Sequence, residues 1–245
     1  MPQDPAASLS TLLRSSSIQD HDEILKAANA ALKTNKNDVA SQQSRVVALL
    51  KLDRFDDALR ALDEGGDKVV ARCSLEKAYA LYKTGKLDEA REFLTSTDQH
   101  GKGSRHVAAQ VAYRAENFQE ALDIYKTLLD SKTGDEESDI AINVRAAHAQ
   151  LLRQDGSSSV ANVASGTESF ELCFNEACAL IARGALEKAT ILLQRALRMC
   201  DTSDLTDTDK QLEMQPILMQ LAYTYANMGK LKEAQDTYAS FTASR

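Results

Sequence analysis

The sequence has no tryptophan, and it is poor in proline and glycine, with 3 and 10 residues in a chain of 245. Aromatic side chains make up only 5% of it, so the core has to be built mainly from alanine, leucine, isoleucine and valine. Sheets and tight turns are usually richer in aromatic residues, glycine and proline, whereas long helices need none of them. The composition therefore predicts an all-α protein, long enough to bury a stable core without disulfides.

Cysteine is also too sparse for a metal or disulfide framework. The four cysteines, Cys73, Cys173, Cys178 and Cys200, lack the paired CxxC spacing of a zinc site. Cys173 and Cys178 are five residues apart on a predicted helix, which separates them by roughly 140° around its axis. We expect all four to be small apolar packing residues in a reducing compartment.

Long apolar runs are missing as well. No segment approaches the ~18 uninterrupted apolar residues of a membrane span, and no N-terminal run suits a signal peptide. The formal net charge is −7, which argues against nonspecific nucleic-acid binding by the chain as a whole. We therefore expect a soluble, cytoplasmic chain.

Catalytic motifs are absent too. The histidines at positions 21, 100, 106 and 148 stand in unrelated segments with no nucleophile or acid at a recognisable spacing. The segment GKGS (101–104) lacks the first glycine and the preceding strand of a phosphate loop, so a turn between helices is the better interpretation. The sequence predicts neither an enzyme nor a cofactor or metal site.

What the sequence does contain is a repeated turn. Each copy has a large apolar residue, two mostly charged residues and an alanine: FDDA (55–58), LDEA (87–90), FQEA (118–121), LEKA (186–189) and LKEA (231–234). Two residues before the large apolar residue stand Asp53, Gly85, Glu116, Gly184 and Gly229, which suit a tight turn between two helices. Twelve residues before each alanine stands a small or slim residue: Val46, Ala78, Ala109, Ala177 or Ala222.

The alanines at 58, 90, 121, 189 and 234 are spaced by 32, 31, 68 and 45 residues. Two spacings are near 34, the third is twice 34, and the fourth is a unit with an insertion at 201–210. Upstream, residues 23–38 match the second half of a unit, with Ile24 in place of the alanine. Stacked helix–turn–helix units form a solenoid; a generic helical bundle, the alternative, has no reason to repeat its turn.

The pattern fails in places. The Ser/Gly-rich segment 153–169 replaces a second helix after a predicted helix at 139–152, so we expect a degenerate repeat or loop there. Residues 131–138 and 201–210 are expected to be exposed loops, and residues 1–7 to be disordered, with a short helix at 9–14. We predict one repeat domain over 1–245, and the abrupt end after the last hairpin suggests a fragment of a longer protein.

A helical solenoid presents its first helices on a concave face. The period selects the residues that line it, about 18, 15, 11, 8 and 7 positions before each anchoring alanine, Leu75 and Gly103 among them. We predict a partner-peptide site there, because tyrosine and arginine anchor interfaces. Its residues are Tyr79, Tyr82, Lys83, His106, Gln110, Tyr113, Arg114, Asn143, Asn175 and Cys178. The alternative is that the tyrosines pack between helices with their hydroxyl groups in water. The register of the degenerate unit stays open, since either Asn143 or Ala146 could take its small-residue position.

The segment FNEACALIARGALEKA (174–189) resembles the tetratricopeptide repeat. More specifically, residues 169–200, EKAYALYKTGKLDEA (76–90) and RHVAAQVAYR (105–114) look like the N-terminal tetratricopeptide domain of one family of signal recognition particle subunits, called subunit 72 of the particle. The resemblance covers essentially the whole chain. It implies a right-handed superhelical solenoid, and it favours a role for Asn175 in binding the backbone of an extended peptide.

The resemblance also implies a function. In that family the domain is a scaffold that receives a C-terminal segment of another protein of the particle, subunit 68, and the heterodimer serves co-translational targeting to the endoplasmic reticulum. The particle RNA is bound by a lysine-rich region C-terminal to the repeats, which this chain lacks, so we expect protein binding, with no membrane insertion and no small-molecule substrate.

Two other functions compete with this one. A co-chaperone would bind acidic C-terminal tails with cations on neighbouring first helices. Arg72 is available, but Glu76, expected one turn further along the same helix, would repel such a tail. Direct RNA recognition would need a basic stripe, and Arg105, Arg114 and Arg145 are few and mixed with acids.

Overall fold

The computed structural model describes residues 20–97, 101–130, 137–155 and 168–243. The chain forms two compact units, residues 1–115 and residues 116–245. The disorder expected at 1–7, the short helix expected at 9–14 and most of the Ser/Gly-rich segment lie outside the described residues. The organisation as one repeat domain stays a prediction.

The N-terminal unit contains seven described helices. They are α1 (His21–Thr34), α2 (Val39–Lys51), α3 (Phe55–Gly65), α4 (Asp67–Arg72), α5 (Ser74–Lys83), α6 (Leu87–Ser96) and α7 (Lys102–Arg114). Asp20 and Asp38 cap α1 and α2, each accepting a hydrogen bond from a backbone N–H three residues later. Helix α5 packs on α3, α6 and α7, so the hairpins stack along the chain.

The C-terminal unit contains six described helices. They are α8 (Phe118–Asp130), α9 (Glu137–Asp155), α10 (Phe170–Ala182), α11 (Leu186–Asp201), α12 (Asp207–Asn227) and α13 (Leu231–Ala243). Helix α9 packs on α8 and α10, and α11 packs on α10 and α12. Ser169 caps α10 through its side chain, which accepts a hydrogen bond from the N–H of Leu172.

The repeated turn is confirmed at every copy. The predicted second helices begin at the large apolar residue of each motif, as α3, α6, α8, α11 and α13. The residue two before it has a left-handed backbone in all five turns: Asp53, Gly85, Glu116, Gly184 and Gly229 have φ of 55°, 79°, 60°, 74° and 75°. Glycine adopts this conformation without steric penalty, which explains its use in three of the turns.

Backbone hydrogen bonds close four of these turns in the same way. The N–H after the left-handed residue donates to the carbonyl five residues back, as in Arg54 to Leu49 at 2.9 Å and Lys86 to Leu81 at 2.9 Å. Ala185 and Lys230 repeat the bond to Leu180 and Tyr225. This is a Schellman cap, which satisfies the last carbonyls of the first helix while the chain reverses.

Within each of the two units, the small residues of the motif lie where the two helices of a hairpin pack together. The anchoring alanines 58, 90 and 189 are fully buried, and so are their partners Val46, Ala78 and Ala177. Small side chains at both positions let the backbones approach, and Leu62 and Leu193, four residues after an alanine, fill the space beside them. In the last hairpin Ala222 is buried and Ala234 is half-buried.

Three predicted loops are shorter than expected. Residues 207–210 are the first turn of α12, because Thr206 caps that helix by accepting a hydrogen bond from the N–H of Asp209 at 3.2 Å. The loop expected at 201–210 is therefore limited to 202–206. Likewise α9 begins at Glu137 and continues to Asp155, so it takes the last two residues of the segment 131–138 and the first three of 153–169.

The connection before α5 also differs from the expectation. A separate short helix, α4, ends at Arg72, and the buried residue Cys73 is the non-helical residue between α4 and α5. The prediction that Arg72 and Glu76 share one helix is therefore wrong. Gly66, with φ of 66°, precedes α4 and allows the reversal after α3.

Candidate functional site

An open groove lies on the N-terminal unit, where the first helices of three successive hairpins meet. It has a volume of about 490 Å³, within the range of typical ligand pockets. Its lining residues come from α2, the turn after it, α5 and α7: Val47, Leu50, Lys51, Asp53, Leu75, Glu76, Tyr79, Gly103 and Val107. Most of the wall is apolar, so the groove can accept apolar side chains.

The side of the groove between α5 and α7 depends on a glycine. A methyl group on Gly103 would lie 2.9 Å from Cδ2 of Leu75, closer than carbon atoms pack. Glycine at 103 therefore leaves room for the Leu75 side chain, which remains 38% exposed. Leu75 is one of the large apolar side chains in this unit that water still reaches.

Aromatic rings stand at one side of this groove. The ring of Tyr79 packs edge-to-face on Phe55, with centroids 6.1 Å apart, and lies 6.3 Å from the ring of Tyr82. The ammonium group of Lys83 is 5.1 Å from the Phe55 centroid and 6.0 Å from that of Tyr79. Three predicted site residues are thus brought together, and their contacts fix the ring of Tyr79 as one wall of the groove.

Arg114 connects α7 to the end of α5. Its Nη1 donates a hydrogen bond to the carbonyl oxygen of Tyr82 at 2.9 Å, and its Cζ lies 5.6 Å from the Tyr82 ring centroid. The guanidinium group is exposed at the surface. Arg114 therefore stabilises the stacking of two hairpins, and any partner contact would use its remaining donors.

The other predicted residues of α7 lie beside the groove without lining it. His106, Gln110 and Tyr113 are half-buried, and it is Val107 that contributes to the wall. The sequence prediction missed Val47, Leu50 and Lys51, although they stand 11, 8 and 7 residues before Ala58. The same spacing from the anchoring alanine, applied to the hairpin α2–α3, would have selected these three residues.

The three predicted residues of the C-terminal unit have different surroundings. Nδ2 of Asn175 donates to the backbone carbonyl of Ile142 at 3.2 Å, which joins α10 to α9. Cys178 packs against the cluster of Ala149, Leu152 and Ala179, and burial raises the pKa of its thiol to about 11. Asn143 is half-buried on α9.

A buried polar cluster joins α9 to α10, and the sequence did not predict it. Arg145, whose side chain is 4% exposed, pairs through Nη1 with the carboxylate of Glu176, whose side chain is 25% exposed. His148, one turn further along α9, is 5% exposed, and its Nε2 has no hydrogen-bond partner among the described residues. Burial lowers the pKa of His148, and the cations Arg183 and Arg145 nearby lower it further.

Neither a metal centre nor a membrane span is found in the described part of the chain. Within residues 20–97, 101–130, 137–155 and 168–243, no group of three or more histidine, cysteine or acidic side chains is arranged to hold a metal ion. The same residues contain no helix long and apolar enough to cross a bilayer.

Comparison with known proteins identifies the family. The model of a family of TPR-like repeats (SRP_TPR_like; TPR is the tetratricopeptide repeat) matches residues 17–150, which is more than half of the chain. The chain belongs to this family. A general tetratricopeptide repeat model also matches residues 215–241, the region of the hairpin α12–α13.

Several curated relatives carry one name. The chain is 32% identical over 228 residues to "Signal recognition particle subunit SRP72" of Canis lupus familiaris and to that of Homo sapiens. Each alignment covers 89% of this chain. It is 28% identical over 239 residues to the subunit of that name from Caenorhabditis elegans. The predicted resemblance to the N-terminal tetratricopeptide domain of this subunit is confirmed, and the chain spans about a third of the length of these relatives.

A solved structure supports the fold. A tetratricopeptide repeat protein from Parabacteroides merdae superimposes with a TM-score of 0.53 at 12% identity, covering 89% of this chain and 85% of that one. The predicted all-α tetratricopeptide fold class is thereby confirmed. The curated relatives above are named as particle subunits, and none of those names is that of an enzyme.

Proposed function

We propose that this chain is a protein-binding scaffold of the signal recognition particle, and that its first helices bind a C-terminal segment of subunit 68 of the particle. The resulting heterodimer would serve co-translational targeting to the endoplasmic reticulum from the cytoplasm. The observation that carries the proposal is the apolar groove across α2, α5 and α7 in a chain of this family. Grooves of this kind are common sites for apolar anchors of a partner.

The proposed site on the N-terminal unit combines the groove with the side chains next to it. Tyr79 would contact the partner inside the groove, and Tyr82 and Lys83 would contact it at the neighbouring rim. His106, Gln110, Tyr113 and Arg114 would extend the surface along α7. Large aromatic rings and arginine supply most of the binding energy at protein interfaces, which supports this assignment.

On the C-terminal unit, Asn143, Asn175 and Cys178 are proposed as further contacts. One amide hydrogen of Asn175 is used inside the fold, and the oxygen and the second hydrogen of the amide, for which the described residues show no partner, would bind a peptide backbone. The raised pKa of Cys178 keeps its thiol neutral, so it would make an apolar contact.

The test is the affinity of the chain for the C-terminal segment of subunit 68, measured by calorimetry. Tyr113→Ala should weaken binding by roughly 1–3 kcal/mol, the usual cost of truncating an interface tyrosine. Arg60→Ala is the control, because Arg60 lies exposed on α3 outside the groove. An unchanged Kd in a Tyr113→Ala variant with native circular dichroism would remove this residue from the site, and absence of binding by the parent chain would refute the proposal.

We also propose that the chain binds protein rather than RNA, and that the particle RNA is contacted through a region beyond the repeats. The net charge of −7 supports this, because RNA binding requires clustered cations that release counterions. A gel shift of the particle RNA by this chain alone that weakens steeply with added salt would contradict it. Pull-down from a cytosolic lysate with and without nuclease separates the two modes of association.

A further inference from the structure

The groove of the N-terminal unit contains a carboxylate that its apolar walls do not explain. Glu76 lines the groove on α5 and is half-buried, next to Leu75 and one turn before Tyr79. No ion pair of Glu76 is found in the part of the chain that the structure describes. A carboxylate in partly apolar surroundings is stabilised by a nearby positive charge, and among the described residues no cation lies within ion-pair distance of Glu76.

The other charges at the groove are arranged unevenly. Asp53, in the turn after α2, adds a second carboxylate to the lining, and Lys51 is the one cation among the described lining residues. Lys83 is directed elsewhere, because its ammonium group lies against the rings of Phe55 and Tyr79. The described lining therefore has two acidic groups and one basic group, and the more buried of the acidic groups lacks an ion-pair partner.

The apolar part of the groove specifies a second property of an occupant. Leu50, Leu75, Tyr79 and Val107 form its apolar wall around a volume of about 490 Å³, open to water along one side. Leu75 remains 38% exposed there, so its burial by another side chain would be favourable by the area removed from water. The groove is larger than one branched aliphatic or aromatic side chain, so it has room for such a side chain and for part of the peptide next to it.

We propose that this groove binds a peptide segment in which a bulky apolar side chain is adjacent to lysine or arginine, and that Glu76 selects the basic residue. The inference rests on the proposed function, since it specifies the chemistry of the partner segment at the same site. The apolar anchor fills the space between Leu50, Leu75 and Val107, and the cation pairs with Glu76. Acidic segments are repelled by Glu76 and Asp53.

The experiment uses the full chain and two synthetic peptides of equal length. Both have leucine anchors; in one the flanking residues are lysine, and in the other every lysine is replaced by glutamate. The lysine peptide should bind about tenfold more tightly at low salt, which corresponds to one favourable half-buried charge pair. Because such a pair is partly screened, the ratio should fall as salt is added.

Variants assign the preference to single residues. Glu76→Gln should remove most of the ratio, Glu76→Lys should invert it, and Lys51→Gln should increase it. Glu92→Gln is the matched control, since Glu92 is exposed on α6 and does not line the groove. Equal binding of the two peptides, or a ratio that Glu76→Gln leaves unchanged, would overturn the inference.

A size probe tests the apolar half separately. Gly103→Ala brings a methyl group against Cδ2 of Leu75, a flexible side-chain end that can move into the groove, so the fold should tolerate it. We expect this variant to bind both peptides several-fold more weakly without changing their ratio. Unchanged affinity of both peptides for Gly103→Ala would place the leucine anchors outside the groove and overturn the inference.

Failure of this inference can be distinguished from failure of the proposed function. If the C-terminal segment of subunit 68 binds and Tyr113→Ala weakens it, while Glu76→Gln has no effect on peptide preference, the proposed function stands and the selection by Glu76 is wrong. If that segment does not bind at all while the lysine peptide prefers the groove, the groove chemistry stands and the assigned partner is wrong.

Discussion

The buried pair Arg145–Glu176 should be the most costly ion pair of the described chain to break. In Glu176→Gln the side chain keeps its shape and loses its charge, which removes a counter-charge from the guanidinium of Arg145, 4% exposed. Removing one partner of a buried pair typically costs about 3–5 kcal/mol. Glu176 is 25% exposed and glutamine still accepts a hydrogen bond, so we expect a smaller loss than that range, about 2–3 kcal/mol.

The measurement is urea unfolding followed by far-UV circular dichroism, with thermal unfolding as a second readout. For a chain of 245 residues the expected loss corresponds to a decrease in Tm of about 5–10 °C. The control is Glu64→Gln, because Glu64 pairs with Arg45 at 2.7 Å with its own side chain 60% exposed. Exposed pairs contribute about 0–1 kcal/mol, so this variant should remain close to the parent chain.

A double variant separates the two parts of the argument. Arg145→Met with Glu176→Leu removes both charges and leaves apolar side chains between α9 and α10, so most of the lost stability should return. If Glu176→Gln were no less stable than Glu64→Gln, or if the double variant were much less stable than Glu176→Gln, the assignment of a desolvated charge to Arg145 would be refuted.

Three further predictions concern the rest of the fold. Because burial lowers the pKa of His148, the unfolded chain binds a proton at this residue at higher pH than the folded chain does. The free energy of unfolding should therefore fall as the pH drops below about 6.5, by at most about 1.4 kcal/mol per pH unit. In urea unfolding measured at several pH values, His148→Gln should weaken this pH dependence. Gly184→Ala should lower the free energy of unfolding in urea by about 1–2 kcal/mol, since φ of 74° disfavours a side chain although space is open around it. Asp53→Gly, at φ of 55°, should be neutral or stabilising. Equal losses in the two variants would contradict the role of the left-handed turn. Because burial raises the pKa values of Cys73 and Cys178 to about 11, these thiols should react slowly with iodoacetamide at pH 8 in the native chain and rapidly in denaturant, as mass spectrometry would show. Rapid native labelling of either thiol would contradict its raised pKa.

The sequence was sufficient for the hairpins because their determinants are local. Each copy of the motif spans only six positions. It begins with the left-handed turn residue, has the large apolar residue two positions later and ends with the alanine three positions after that. Contacts between distant residues left no such pattern. Glu176 is 31 residues from Arg145, and nothing in the period indicates that these two charges meet. The same limit applies to the hydrogen bond of Arg114 to the carbonyl of Tyr82.

The groove was predictable only in part for the same reason. Tyr79, Leu75 and Gly103 follow from the period, because the first helix of each hairpin presents the same face. Val107 and Glu76 occupy one equivalent position in their two hairpins, and that position is not among those that the period selected. Their place in the wall depends on how closely α5 approaches α7, which the contact between Gly103 and Leu75 determines.

The recurring left-handed turn limits where evolution can change the length of this chain. One residue added between the turn and its alanine would rotate the second helix by about 100° and carry the alanine away from its partner. Insertions and deletions are thereby directed to the connections between hairpins. The spacing of 45 residues before Ala234 is consistent with this restriction, because α12 is long, at 21 residues, while the turn at Gly229 keeps its left-handed backbone.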